Sequence, residues 1–425
     1  MQWIKKTFLR KVPKVLSKKI YPVKEFVLRK FLSDFKMPLI LITEIIVCLL
    51  FGDLIPFSMK SALYAVSLNL KEILLFVLPF IIFSFLLNSI GILKKGAFSF
   101  VALAFSMVVI SNFTATVFGG FLGIFTLGSL GFIEKIILSK DALSPLWIFE
   151  LPQLISNDAA LFSGLVAGVI LSLTGHQKSQ GIAQKLYSGS FFFLKRCFIP
   201  VLPIFILGFI LKMQHDGLLT SVFKHYLPIA ILIIIVSVPY ILTLFALALG
   251  FDKKRWVQGL KNLVPGMLTG FTTMSSASTM PLVIDAVEKN TTEPFTPGVV
   301  PVSINTHLVG DCFSMSIQAI AILISFGYDL PSLPDFLLFA VFFVIARFAV
   351  AGVPGGGVLM TLPVFEKYLG FSGEMLSLIT ALYILFDPLI TPVNVLGHGT
   401  FAQLFEKLYK KVLGRKGIAS KTRPR

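Results

Sequence analysis

Asp387, Thr391, Asn394 and His398 recur at intervals of four, three and four residues inside an apolar run, so all four share one face of a helix. That face offers a carboxylate, a hydroxyl, a carboxamide and an imidazole. Ionisable side chains at membrane depth are rare and functional by default. A bland alternative pairs Asp387 with Arg347, with no ligand involved.

Two polar interruptions stand upstream: Thr272–Thr279 (TTMSSAST) and Val350–Met360 (VAGVPGGGVLM). An unpaired backbone polar group in hydrocarbon costs several kcal/mol, so such breaks belong where they are buried in protein or line a water-filled cavity. Ser275, Ser276, Ser278 and Thr279 offer hydroxyls and backbone N–H groups at the start of a half-helix, which suits an anion because the helix dipole is positive there. In the second break Gly352, Val353, Pro354, Gly355, Gly356 and Gly357 combine permissive backbone with a proline that cannot continue the preceding helix, and a glycine-rich tip suits a moving gate. Each break alone also reads as a packing or kink motif. Together, placed around one span, they point to the binding site of a secondary transporter.

The elements that must position these groups follow from composition. Hydrophobic residues make up 56% and charged residues only 14%, more than the core of any water-soluble chain of 425 residues needs. Runs of about 20 apolar residues suffice for a crossing, and eight are expected, roughly at 38–58, 72–93, 97–126, 158–175, 191–212, 226–251, 299–325 and 375–401. Val257–Val287 and Phe336–Phe365, with breaks near their middles, read as re-entrant hairpins, the first from the cytoplasm and the second from outside. The expected fold is thus an all-α polytopic membrane protein of eight transmembrane helices and two hairpins.

The net charge of +17 sits largely in two tails: residues 1–36 hold 11 Lys/Arg and residues 403–425 hold 8 of the 38. Positive charge flanking spans stays in the cytoplasm, so both termini are expected inside, in a plasma (bacterial inner) membrane. The basic segment 1–36 is expected on anionic lipid, and no nucleic-acid role is expected. Cys48, Cys197 and Cys312 form no disulfide framework and no metal spacing.

SSAST followed by Met280-Pro281, then AGVPGGG, then Asp387-x3-Thr391-x2-Asn394 resemble the dicarboxylate/amino acid:cation symporters, the glutamate-transporter fold. The resemblance is motif-level from about 257 to 401, and Asn157–Leu173 is similar to the family's fourth span. It implies a homotrimer and an elevator-like transport domain, with residues 37–256 as scaffold plus part of that domain and 257–402 as the transport core. It also implies that Asp387 binds a substrate amino group and Asn394 the substrate carboxylate, with Thr391 beside both.

Departures from the family pattern bear on substrate and coupling. Ile390 stands where members that carry acidic side chains have arginine, so a dicarboxylate loses its bidentate partner. His307-Leu308-Val309-Gly310-Asp311 replaces the family's Asn-Met-Asp-Gly-Thr, and His398 replaces a second sodium-binding aspartate. Sodium prefers oxygen ligands, which leaves at most a sodium site near His307, Asp311 and Asn394. His307, Gly310, Asp311, Arg347 and His398 are therefore candidates for cation or proton coupling. The expected function is symport of a small, neutral amino acid with Na+ or H+, with no other cofactor. A sodium-driven carrier of dicarboxylates or acidic amino acids and an uncoupled carrier or channel are the alternatives. No GxSxG, HExxH or paired-aspartate motif marks a membrane enzyme.

Overall fold

The computed structural model describes residues 36–91, 98–128, 143–152, 154–216, 219–350 and 356–412. Lipid gives the backbone no hydrogen-bond partners, so long apolar runs must close their own bonds as helices. Among the described residues there are helices and no strand. In chain order they are α1 (Lys36–Phe51), α2 (Phe57–Gly91), α3 (Phe98–Gly123), α4 (Asn157–Thr174), α5 (Gln177–Phe192), α6 (Ile199–His215) and α7 (Leu219–Leu249). The C-terminal half adds α8 (Lys253–Thr273), α9 (Ser276–Asn290), α10 (Val299–Ser303), α11 (Val309–Ser325), α12 (Leu333–Arg347), α13 (Gly356–Leu359), α14 (Leu362–Leu369) and α15 (Gly373–Val412).

Five stretches are long and apolar enough to cross a bilayer: Phe57–Asn88, Ala102–Gly128, Asn157–Thr174, Pro228–Leu249 and Gly373–Lys411. Gln177–Phe198 and Pro200–His215, bent by 52°, make a sixth if taken as one span. With the shorter apolar helices α1 and α11, the described helices fall on every expected crossing. The chain is an all-α polytopic membrane protein.

Several boundaries differ from expectation, for identifiable reasons. The second span begins at Phe57 rather than near 72. Its polar residues face a neighbour instead of ending the helix: Lys60 donates to Gln214 Oε1 at 3.0 Å, and Ser67 donates to the Ile204 carbonyl at 3.1 Å. The expected span 299–325 is broken, with α10 and α11 separated by a non-helical turn through Ile304–Leu308. This break is a third interruption, beside the two hairpin tips. The basic segment 1–36 (all but Lys36), the tail beyond 412 and the tip residues Gly352, Val353, Pro354 and Gly355 lie outside the described residues.

α8 and α9 fold back on each other. Asn290 bonds both Asn262 (2.6 Å) and the Gly259 carbonyl (3.2 Å), Gly266 lies against Val283, and Gly270 lies against Thr279. Those pairs converge on Met274, whose φ of 50° makes it the only non-glycine residue with positive φ among those described. A left-handed residue reverses the chain there, and Ser275 caps the returning helix by accepting from Ser278 N at 3.3 Å. α12 and α14 are antiparallel in the same way. The Phe343 and Phe365 rings lie 5.8 Å apart, Phe342 stacks on Tyr368 at 4.4 Å, and Arg347 Nη1 donates to the Gly357 carbonyl at 3.0 Å.

Both arms of α8–α9 should therefore open on one side of the membrane. Single cysteines at Lys253 and Lys289, in a background without native cysteines, should react with an impermeant maleimide from the same side. Labelling from opposite sides would make α8–α9 a crossing and undo the topology.

Packing gathers the helices into two groups. α2 packs on α4, α5 and α6, and α1 packs on α6. α3, α7 and the helices from α8 onward surround α11 and α15. Sixteen of the 17 residues of α11 are buried, which is why a helix carrying Ser314, Ser316 and Gln318 sits at the centre rather than facing lipid. The groups meet through polar contacts. Lys367 pairs with Asp158, Tyr368 donates to Asp158 at 3.0 Å, and Tyr64 donates to Glu374 at 2.9 Å.

Candidate functional site

The tip of α8–α9, the turn between α10 and α11, the region around Gly357 and the middle of α15 line a small cleft of about 30 Å³. Each polar wall has a local cause. Ser275 and Ser276 stand there because the helix reversal at Met274 exposes the first turn of α9. Asp387, Thr391 and Asn394 share one face of α15 because they are four and three residues apart.

Asp387 is 4% exposed and lines the cleft. Thr391 donates to its Oδ1 at 2.6 Å, and among the described residues no cation pairs with it. A buried carboxyl group needs a hydrogen-bond or charge partner, and the described residues give Asp387 the Thr391 hydroxyl and no cation. Arg347 does not serve. Its Nη2 binds Asp311 Oδ2, so the pairing of Arg347 with Asp387, the bland alternative in the sequence, is replaced by one with Asp311. The register of α12 decides this by aiming Arg347 at α11.

Asp311 is the hub of a buried hydrogen-bond network. Its Oδ2 accepts from Arg347 and from Tyr383 Oη (2.9 Å), and its Oδ1 accepts from Asn394 Nδ2 (2.7 Å). Asn394 Oδ1 in turn accepts from Gly310 N at 2.9 Å. Gly310 is required by close approach, since a Cβ there would lie 2.9 Å from the Ile390 carbonyl. Gly310, Asp311, Arg347 and Asn394 are thus brought together.

The histidines are not with them. His307 Nε2 lies 2.9 Å from Ser111 Oγ, and its ring stacks on Phe401 at 4.4 Å. His398 lies on the same side, its ring 6.4 Å from that of His307, and neither of its nitrogens has a hydrogen-bond partner among the described residues. Of the residues expected around a sodium ion, Asp311 and Asn394 bond each other, and His307 bonds Ser111 of α3 instead. Among the described residues no cluster of three His, Cys, Asp or Glu forms a metal site.

Of the hydroxyl-rich tip, Ser275 and Ser276 reach the cleft. Ser278 is exposed on the outer side of α9, and Thr279 is buried between the hairpin arms, donating to the Ser276 carbonyl at 2.7 Å. Gly356 begins α13, and the next residue, Gly357, lines the cleft. Three lining residues escaped the sequence reading: Tyr383, Asn305 and Ile304. Tyr383 was available, one helical turn before Asp387 on the same face. Asn305 was signalled by the polar run Asn305-Thr306-His307 inside an apolar segment.

A model of the sodium:dicarboxylate symporter family matches residues 37–408. Among individual proteins, the chain is 31% identical over 160 residues to excitatory amino acid transporter 3 of Mus musculus, covering 37% of this chain and 30% of that protein. It is 26% identical over 227 residues to excitatory amino acid transporter 3 of Oryctolagus cuniculus, covering 53% and 42%. It is also 26% identical over 221 residues to neutral amino acid transporter A of Bos taurus, covering 51% and 41%. The aligned stretches span less than half the length of each of these relatives.

Proposed function

The chain belongs to the sodium:dicarboxylate symporter family, and from that premise we propose that it is a secondary transporter that carries a small neutral amino acid with a coupled cation. The observation that supports this most is the contrast between two carboxylates. Asp311 is paired with Arg347, while among the described residues Asp387 faces the cleft bonded only to Thr391. An ammonium group satisfies Asp387. The substrate carboxylate is then received at the N-terminus of α9, beside Ser275 and Ser276, and by the amide of Asn394, whose second hydrogen is not used by Asp311. Among the described residues no cation remains to hold a second carboxylate, since Ile390 is apolar and Arg347 is already paired.

In this reading the α8–α9 and α12–α14 hairpins are the inner and outer gates, and the second group of helices moves as a unit past the first, in a trimer. The polar contacts of Asp158, Tyr64 and Glu374 are then remade at each excursion. Coupling is assigned to His307 and His398. Among the described residues His307 Nδ1 and both ring nitrogens of His398 have no hydrogen-bond partner, and His398 lies one turn beyond Asn394 on α15. The competing reading, a sodium-driven carrier of acidic substrates, is favoured by the relatives named for excitatory amino acids.

Uptake into proteoliposomes at fixed membrane potential distinguishes the two. The expected result is concentrative uptake of alanine or serine driven by a pH gradient alone, outcompeting aspartate and succinate, with the pH dependence lost in His398→Gln. Sodium-driven uptake that is indifferent to pH in both proteins would refute proton coupling. Stronger competition by aspartate or succinate would refute the neutral substrate.

A further inference from the structure

Arg347 is fully buried, and its guanidinium is only half used. A guanidinium normally takes a carboxylate through two parallel N–H bonds. Here Asp311 engages Nη2, while Nη1 goes to the Gly357 carbonyl, with Met315 Sδ at 3.7 Å, and Nε has no partner among the described residues. Asp311 spends its other oxygen on Asn394 rather than on Arg347. Arg347, Tyr383 and Asn394, from α12 and α15, thus converge as donors on a single carboxylate that comes from α11. Without Asp311 the same three donors form a receptor for an anion.

That receptor opens on the cleft. Asp311, Gly357 and Tyr383 line it together with Asp387, and Tyr383 precedes Asp387 by one helical turn. A substrate anchored by its ammonium at Asp387 would therefore present a side-chain carboxylate toward Arg347. We propose that Asp311 is a resident carboxylate that occupies this receptor and so excludes amino acids bearing a second carboxylate. The inference rests on the amino acid reading given above. It makes Asp311 a specificity-determining residue and Arg347 a masked anion-binding group, so charge at the site is set by an internal ligand and not by the absence of a cation. Rejection is strong where a buried polar group would be left unpaired or a like charge opposed.

Replacing Asp311 should unmask the receptor. In Asp311→Ser proteoliposomes, aspartate should inhibit alanine uptake at a concentration about a hundredfold lower than in the unsubstituted protein. Succinate, which lacks the ammonium for Asp387, should gain much less. In detergent, aspartate should raise the melting temperature of Asp311→Ser and leave that of the unsubstituted protein unchanged. The inference is overturned if Asp311→Ser is still stabilised by alanine yet responds to aspartate no better than before. Should Asp311→Ser fail to fold, Asp311→Asn, which keeps the volume, replaces it in the same two measurements. If neither variant can be recovered folded even in saturating aspartate, an added carboxylate does not substitute for Asp311, and the pair is purely structural. An unsubstituted protein that transports aspartate as well as alanine refutes the neutral-substrate reading itself. One that takes alanine alone, with a variant blind to aspartate, refutes only the masking.

Discussion

Asp387→Asn should abolish concentrative uptake while the protein still assembles in the membrane. The substitution is nearly isosteric, and Thr391 can go on donating to the remaining carbonyl oxygen, so the local fold of α15 has little reason to change. What disappears is the carboxylate that an incoming ammonium would pair with, which Arg347 leaves free by binding Asp311. A bound ammonium would then be buried without a counter-charge. Removing one member of a buried pair costs about 3–5 kcal/mol, which is roughly two to three and a half orders of magnitude in binding. The effect should fall on amino acids and spare any ligand without an amine. Uptake of alanine and serine, normalised to protein recovered in the membrane, reads it directly. Near-normal uptake would show that Asp387 meets no ammonium and would return it to a purely structural role.

Much of this site is legible in the sequence because helical periodicity is local. Asp387, Thr391 and Asn394 fall on one face of α15 whatever the rest of the chain does, and the polar breaks at Ser275 and around Gly352 betray themselves against an apolar background. Span boundaries are less legible, since a polar residue such as Lys60 ends a helix or faces a neighbour depending on α6, more than a hundred residues away. Partner choice is the least legible of all. Arg347 has two buried aspartates within the same core, and only the register of α12 against α11 sends it to Asp311. The same holds for the histidines. His307 and His398 share a sequence neighbourhood with Asp311 and Asn394, yet His307 turns toward Ser111 of α3 and Phe401, with the His398 ring beside it.

The second large effect is on stability, and it comes from the pair that carries the masked charge. Arg347→Met should cost about 3–5 kcal/mol, because Asp311 would remain buried without its cation. Tyr383 and Asn394 would still donate to Asp311, which places the expected loss toward the lower end of that range. Combining Arg347→Met with Asp311→Leu removes both charges and fills the space with apolar atoms, a replacement that is often neutral or stabilising. The double variant should therefore be more stable than Arg347→Met alone, and the interaction energy in the resulting cycle should reach several kcal/mol, beyond the few tenths expected of independent sites. Chemical denaturation in detergent, with all four proteins at one concentration, measures the cycle. Additive losses would mean that the two residues act separately, and that the contact between Arg347 and Asp311 holds no net energy. A large coupling recovered in the double variant would mean that apolar packing at this place suffices for the fold. Arg347 and Asp311 would then be kept for what they do to the substrate, because a paired charge is a costly way to fill a core that Met and Leu fill as well.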